Sequence, residues 1–338
     1  MFHFMNDDVR TMRAAVVTKY GPPSTVALRE LQRPEPGPRD LLIRVMASTV
    51  SSGDARVRAR RVPRGMGFPL RLALGWNVPR RPVLGAECAG VVTSVGEEVT
   101  RFRVGDEVVA YPGATMGAHA TFLRIREDAP LATKPAELSW SEAASLLFGG
   151  MTAMHYLRHK AELRPRERVL VLGASGSVGV AAIQIARQAG AEVTAVCSAK
   201  NAQLVRELGA AQVIDYHSSD FTQSGGRWDI VMDCVGATDY ARCWPVLARR
   251  GGLLRVVCGL AGQLAAPFEG RLSGHRVIAG VARERPEDVR AIVALVREGA
   301  YRAVVEDTLP LSRIAEAHAR VDGGHKRGSI VVTMDEAA

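Results

Sequence analysis

Two patterns of apolar and polar residues divide the chain near Pro135. After that point, short apolar runs alternate with segments of helical spacing. Val169–Leu172, Val193–Val196, Gln212–Asp215, Asp229–Asp233 and Leu253–Val257 read as buried parallel strands. Val178–Ala189, Asn201–Leu208 and Tyr240–Ala248 lie between or beside them and read as helices. This alternation predicts a doubly wound parallel sheet. Before Pro135 the runs are short and broken by glycine and proline: Met12–Tyr20, Leu41–Val50, Pro82–Val95, Phe102–Ala110 and His119–Ile125. Those predict a small, partly closed antiparallel barrel. Ser139-Trp140-Ser141-Glu142 has capping-box spacing, so a helix begins there and a second follows over Thr152–His159. Arg276–Val281 reads as an edge strand. Pro286–Arg297, Val304–Leu309, Ser312–Val321 and Ser329–Thr333 close the chain.

Composition adds limits. With 338 residues, 47% of them hydrophobic and 23% charged, the chain can fill two ordinary globular cores. No apolar run is long enough for a membrane span. The opening MFHFMNDDVRT lacks the basic-then-apolar order of a signal peptide and reads as a tail. Five scattered cysteines without a CxxC pair fit a reducing cytoplasm and argue against structural zinc. The net charge of +9 is concentrated in eight arginines between Ala55 and Ala86, with no acid among them. No nucleic-acid motif accompanies them, so no nucleic-acid role is expected.

The chemistry centres on RVLVLGASGSVGVAAIQIARQA, residues 168–189. Gly173, Gly176 and Gly179 fall between a predicted strand and a predicted helix, the context that makes a glycine pattern a dinucleotide fingerprint. Gly173 permits the tight turn, Gly176 lets a pyrophosphate approach the backbone, and Gly179 lets helix pack on strand. The helix start offers free N–H groups to the phosphates. The next strand ends in Cys197-Ser198-Ala199-Lys200-Asn201, without the carboxylate that would hold an NAD ribose. Ser198 and Lys200 therefore point to NADP(H), although Lys200 could also be a solvated lysine.

The order of these features resembles the medium-chain dehydrogenase/reductase superfamily from MRAAVVTKYGPP to HKRGSIVV. PVLGAECAGVVTSVGEEV, RFRVGDEVVAY, SWSEAASLLFGGMTA, VLGASGSVGVAAIQIA, LGAAQVIDY and MDCVGAT carry the likeness. It is most similar to the zinc-independent quinone oxidoreductase, or zeta-crystallin-like, branch. The resemblance implies a GroES-like barrel over residues 1–138, to which 281–338 return, and a Rossmann domain over 139–280. It further implies Thr152 near the nicotinamide, Ser177 and Val178 at the pyrophosphate, and Tyr216 near the adenosine 2′-phosphate. Val235, Gly236, Val257 and Cys258 follow strand ends, where open α/β sheets bind ligands.

Zinc members place ligands where this chain has Ser51, Ala86 and Phe148. Alanine and phenylalanine cannot ligate zinc and a serine hydroxyl does so poorly, so no metal is expected. His155 and His159 stand at i, i+4 but have no third ligand nearby in sequence. Reduction of a quinone or an α,β-unsaturated carbonyl fits a site without a Lewis acid. Ser51, Asp54 and His119 are the candidate donors, with structural roles equally open for Asp54 and His119. A zinc-free carbonyl reductase or alcohol dehydrogenase, and a non-catalytic NADPH-binding protein, are the alternatives. The edge strand predicts a homodimer. The insert Arg56–Arg81, which carries Met66, Phe68, Leu70, Leu72, Leu74 and Trp76, reads as a solvated loop, a lid over a hydrophobic substrate, or a membrane-surface contact.

Overall fold

The structure, a computed structural model, describes residues 11–61, 75 and 79–334. The opening tail, except for Thr11, and the six apolar residues of the insert lie outside them.

The strands are β1 (Thr11–Val17), β2 (Val26–Gln32), β3 (Asp40–Val50), β4 (Cys88–Val95), β5 (Glu107–Ala110), β6 (Phe122–Arg126) and β7 (Leu131–Thr133) before the glycine turn. Then come β8 (Arg168–Leu172), β9 (Glu192–Cys197), β10 (Gln212–Asp215), β11 (Trp228–Asp233), β12 (Leu247–Arg255) and β13 (Arg276–Ala279). Two more, β14 (Val305–Pro310) and β15 (Ser329–Thr333), end the series. Strands β8 to β13 form one parallel sheet in the order β10-β9-β8-β11-β12-β13. Helices cover both faces. Val169 and Val171 therefore enter one apolar core, Leu170 and Leu172 the other. The strand order reverses between β8 and β11, which opens a crevice beyond the ends of those strands.

The barrel sheet runs β14-β15-β3-β4-β5-β7, with β6 also on β3. Its pairings are antiparallel except β14 with β15, which is parallel. The β1–β2 hairpin joins it through bridges at Ala14–Ala120 and Val16–Val83. Strand β15 lies directly beside β3. Ile314, Ala317 and Val321 of the helix Ile314–Asp322 fill the same core as Leu41, Ile43 and Val92.

Three expectations change. The helix expected over Tyr240–Ala248 is only Tyr240–Cys243, because Pro245 enters a short 3-10 turn and β12 starts at Leu247. The helix expected over Thr152–His159 is α-helical from Leu147 to Ala153 and widens to a π-helix over Met154–Lys160. That places His155 in the interior, 3% exposed, where its Nδ1 accepts from Arg283 N at 3.3 Å. His159 Nε2 instead meets Asp288 Oδ1 at 2.8 Å, so the two histidines face different partners. The insert is not all solvated either: Arg58, at the end of the helix Ser52–Ala59, is completely buried.

His318 is buried beside His119, with ring centroids 5.9 Å apart, and neither of its nitrogens has a partner among the described residues. Burial first, then the charges of His119 and Arg58, lower its pKa to about 2. The unfolded chain protonates this histidine near its ordinary value of about 6.5, while the folded chain does not. Stability is therefore expected to fall with acidification below that value, by up to about 1.4 kcal/mol per pH unit from this residue. Urea midpoints between pH 6.5 and 4.5 should drop less steeply in His318→Phe than in wild type. Parallel pH curves would count against it.

Candidate functional site: a cleft around the glycine turn

A cleft of about 750 Å³ opens at the carboxyl ends of β8, β9 and β11. Its floor is the glycine turn. Gly173 adopts φ +73°, and a Cβ on Gly179 would stand 2.3 Å from Gly173 O and 2.6 Å from Ala174 Cα. Both glycines are thus required by the turn itself. Gly176 differs: a Cβ there would meet only Gly173 O, at 3.6 Å. The folded chain has room for a side chain at that position, so the demand for glycine comes from whatever approaches the backbone through the cleft. Gly176 caps the helix Ser177–Gln188, whose first N–H groups lack intrahelical acceptors.

The adenosine end is built on the end of β9. Ser198 is buried and accepts from Asn201 Nδ2 at 3.3 Å, which leaves its own hydroxyl proton to donate. Asn201 also donates to Ser175 Oγ at 3.0 Å and so ties this corner to the glycine turn. Lys200 is exposed and half-exposed Tyr216 stands on the same wall. Arg242 lines this end as well, over the Phe221 ring and paired with Asp220 at 2.9 Å.

The cleft thus gathers Gly173, Gly176, Ser177, Val178, Gly179, Ser198, Lys200, Tyr216 and Val235. Thr152, Gly236, Val257 and Cys258 do not line it. Thr152 donates to Phe148 O at 2.8 Å within its own helix, and Gly236 N to Asp233 Oδ1 at 2.8 Å. Asp233 was not singled out by sequence, yet it organises the loop after β11. Its fully buried carboxylate accepts from the N–H groups of Val235, Gly236, Ala237 and Thr238. That loop sets Val235 against Gly173.

The three expected donors are engaged inside the barrel instead. Ser51 and Asp54 form the capping box of the helix Ser52–Ala59. Ser51 N and Oγ donate to Asp54 Oδ2 at 2.8 and 2.5 Å, and Gly85 N donates to Oδ1 at 2.9 Å. His119, 1% exposed, meets Thr49 O through Nε2 at 2.9 Å. None of the three lines the cleft, because local backbone amides and carbonyls claim their polar atoms. The carboxylate nearest Ala86 in sequence is Glu87, fully buried, which accepts from Thr49 Oγ1 at 2.5 Å, Leu147 N at 2.8 Å and Phe148 N at 2.7 Å. Burial raises its pKa to about 7 against these hydrogen bonds. A glutamate after an alanine gives no sequence signal of such a role.

Among the described residues, no group of three or more His, Cys, Asp or Glu could hold a metal ion. At the zinc-ligand positions, Ser51 is committed to Asp54 while Ala86 and Phe148 offer no donor atom. These residues do not fit zinc.

A parallel sheet with this strand order, a glycine turn at its switch point and a barrel closing the cleft form the architecture of a dinucleotide-binding protein. A model described as alcohol dehydrogenase GroES-like domain matches residues 37–129, and one described as zinc-binding dehydrogenase matches 208–332. A quinone oxidoreductase of Pseudomonas aeruginosa is 30% identical, over 93% of this chain and 97% of its own. A chloroplast envelope quinone oxidoreductase homolog of Arabidopsis thaliana is 28% identical, over 96% and 98%. The solved quinone oxidoreductase of Coxiella burnetii superposes with TM-score 0.84 at 26% identity, over 96% and 100%. The chain belongs to the medium-chain dehydrogenase/reductase superfamily. Within it, the chain is an oxidoreductase of the quinone oxidoreductase, zeta-crystallin-like branch.

Proposed function

We propose that this protein is a zinc-independent, NADPH-dependent reductase of quinones or α,β-unsaturated carbonyls. The observation that carries the reading is the end of β9. There Ser198, Lys200 and Asn201 meet the cleft and no carboxylate stands among them. A 2′-phosphate is attracted by such a corner, whereas an NAD-type carboxylate would repel it.

A bound nicotinamide would supply the hydride. The chain's part is to hold and desolvate the reactants. Gly173 and Gly179 shape the turn, the first N–H groups of the helix Ser177–Gln188 would hold the pyrophosphate, and Ser198 with Lys200 would select the 2′-phosphate. Ser51 and Asp54 fix the barrel helix whose Ser52, Ala55 and Arg56 form the facing wall. They act in this reading as positioning residues, as does His119.

The test is a panel of quinones, enones, ketones and alcohols followed by NADPH absorbance, with and without a chelator. Turnover of quinones or enones, unaffected by the chelator, is expected. Turnover confined to simple ketones or alcohols would support the carbonyl-reductase alternative, and none at all the non-catalytic one. Two further elements belong to this reading. Strand β13 is a sheet edge, flanked by exposed Phe268, Leu272 and Val281, and suits pairing with a second copy. A monomer in light scattering at micromolar concentration would count against it. All five cysteines are free, which fits a cytoplasmic setting that cell fractionation can check.

A further inference from the structure

The helix Ser52–Ala59 and the two residues after it carry four arginines. Three of them are engaged. Arg58 is buried against Asp322, Arg60 lies over the Tyr20 ring at 5.4 Å, and Arg61 approaches Asp322 at 3.4 Å. The fourth, Arg56, makes no side-chain hydrogen bond, ion pair or ring contact among the described residues. Ser52, Ala55 and Arg56 stand at i, i+3 and i+4, so one face of the helix looks into the cleft. Gly53 holds that helix close to Phe148, since a Cβ on it would stand 3.4 Å from Phe148 Cε2. Phe148 lines the cleft beside this face. With adenosine at the end of β9 and the pyrophosphate at the glycine turn, the Phe148 end is left for the nicotinamide and its acceptor.

Arg56 is exposed into the cleft rather than to open solvent. The surrounding walls cost its charge enough solvation to lower its pKa, and no neighbouring charge offsets that loss. A counter-charge is not at hand. Residues 55–86 contain no acid, so the insert cannot supply one. Asp322, the one carboxylate among the cleft-lining residues, already serves Arg58 and Arg61. A guanidinium in this condition calls for an anionic ligand, and its planar fork matches a carboxylate. The cofactor's phosphates would lie at the glycine turn and the β9 end, which leaves Arg56 to the other reactant.

We propose that the acceptor reduced by this protein carries a carboxylate, and that Arg56 is the residue that binds it. The proposal rests on the reductase reading and narrows it from quinones and enones in general to acidic ones.

The test uses matched acceptors, each a carboxylate and its methyl ester: 4-oxo-2-pentenoate, 4-carboxycinnamaldehyde and 1,4-naphthoquinone-2-carboxylate. The full chain is assayed with NADPH as wild type, Arg56→Gln and Arg56→Lys. Wild type should prefer the acid of at least one pair in kcat/KM. Arg56→Gln should cut that acid-to-ester ratio about 10- to 100-fold, the range for a hydrogen bond to a charged group. Arg56→Lys keeps the charge and should recover most of the ratio. The dissociation constant for NADPH should not change in either variant. Wild type that reduces the esters as well as the acids overturns the proposal, and so does an acid-to-ester ratio that survives in Arg56→Gln. Weaker NADPH binding in Arg56→Gln also overturns it, because Arg56 would then belong to the cofactor. Wild type that binds NADPH but reduces neither these acceptors nor neutral quinones and enones would remove the reductase reading itself.

Discussion

Asp322→Ala is expected to cost roughly 3–5 kcal/mol of folding stability, the usual result of removing one partner from a buried ion pair. The other partner is Arg58, whose side chain is 0% exposed. Its Nη2 lies 2.5 Å from Asp322 Oδ2, its Nη1 donates to Gly21 O, and its Nε has no partner among the described residues. Without Asp322 the guanidinium stays inside with one carbonyl to answer it. Arg61 approaches Asp322 at 3.4 Å but is itself exposed, so it adds little. Replacing both members together, Arg58→Met with Asp322→Leu, should recover most of the loss, because burying no charge avoids the desolvation cost. Urea denaturation of the two variants measures this directly. A loss below about 1 kcal/mol in Asp322→Ala would mean that water reaches Arg58.

Lys200→Ala is expected to weaken NADPH binding about 10- to 150-fold, since hydrogen bonds to charged groups contribute about 1.5–3 kcal/mol. NADH lacks the 2′-phosphate, so its affinity should barely change and most of the preference should disappear. Ser198→Asp should go further and tilt the site towards NADH, because the carboxylate would repel a phosphate and accept from a ribose hydroxyl. Arg242 stands near the same corner, but Asp220 already neutralises it. Dissociation constants for both cofactors decide the matter. Equal weakening of NADPH and NADH by Lys200→Ala would remove Lys200 from phosphate recognition, and equal wild-type affinities would remove the assignment of the β9 end.

The parts that were legible in the sequence are those set by local rules. A buried parallel strand must be apolar on both faces, and a dinucleotide turn must have glycines at fixed spacing. Val169–Leu172 and Gly173–Gly179 could therefore be read without coordinates. The helix limit near Pro245 was equally local, yet the reading over Tyr240–Ala248 ran through the proline that ends it. The barrel-side roles were not legible because they depend on contacts between distant segments. Asp54 looks the same in sequence whether it faces a substrate or caps its own helix, and the amide of Gly85 is what decides. Lys326 lies far along the chain from Ser177, to whose Oγ its Nζ donates, and the register of β15 against β3 together with the Gly176–Gly328 bridge brings it there.

That register also bears on the order in which the molecule is made. The parallel sheet is one continuous stretch of chain, Arg168–Ala279, and every strand it needs has emerged before β14 is synthesised. The barrel has no such independence, since β3 waits for β15, and its core waits for Ile314, Ala317 and Val321. On the ribosome the first half of the barrel must remain unfinished while the later domain folds, the reverse of the usual N-terminal-first sequence. During that interval the flank of β3 that β15 will occupy is an open sheet edge, and the nascent chain is most vulnerable to wrong pairing there.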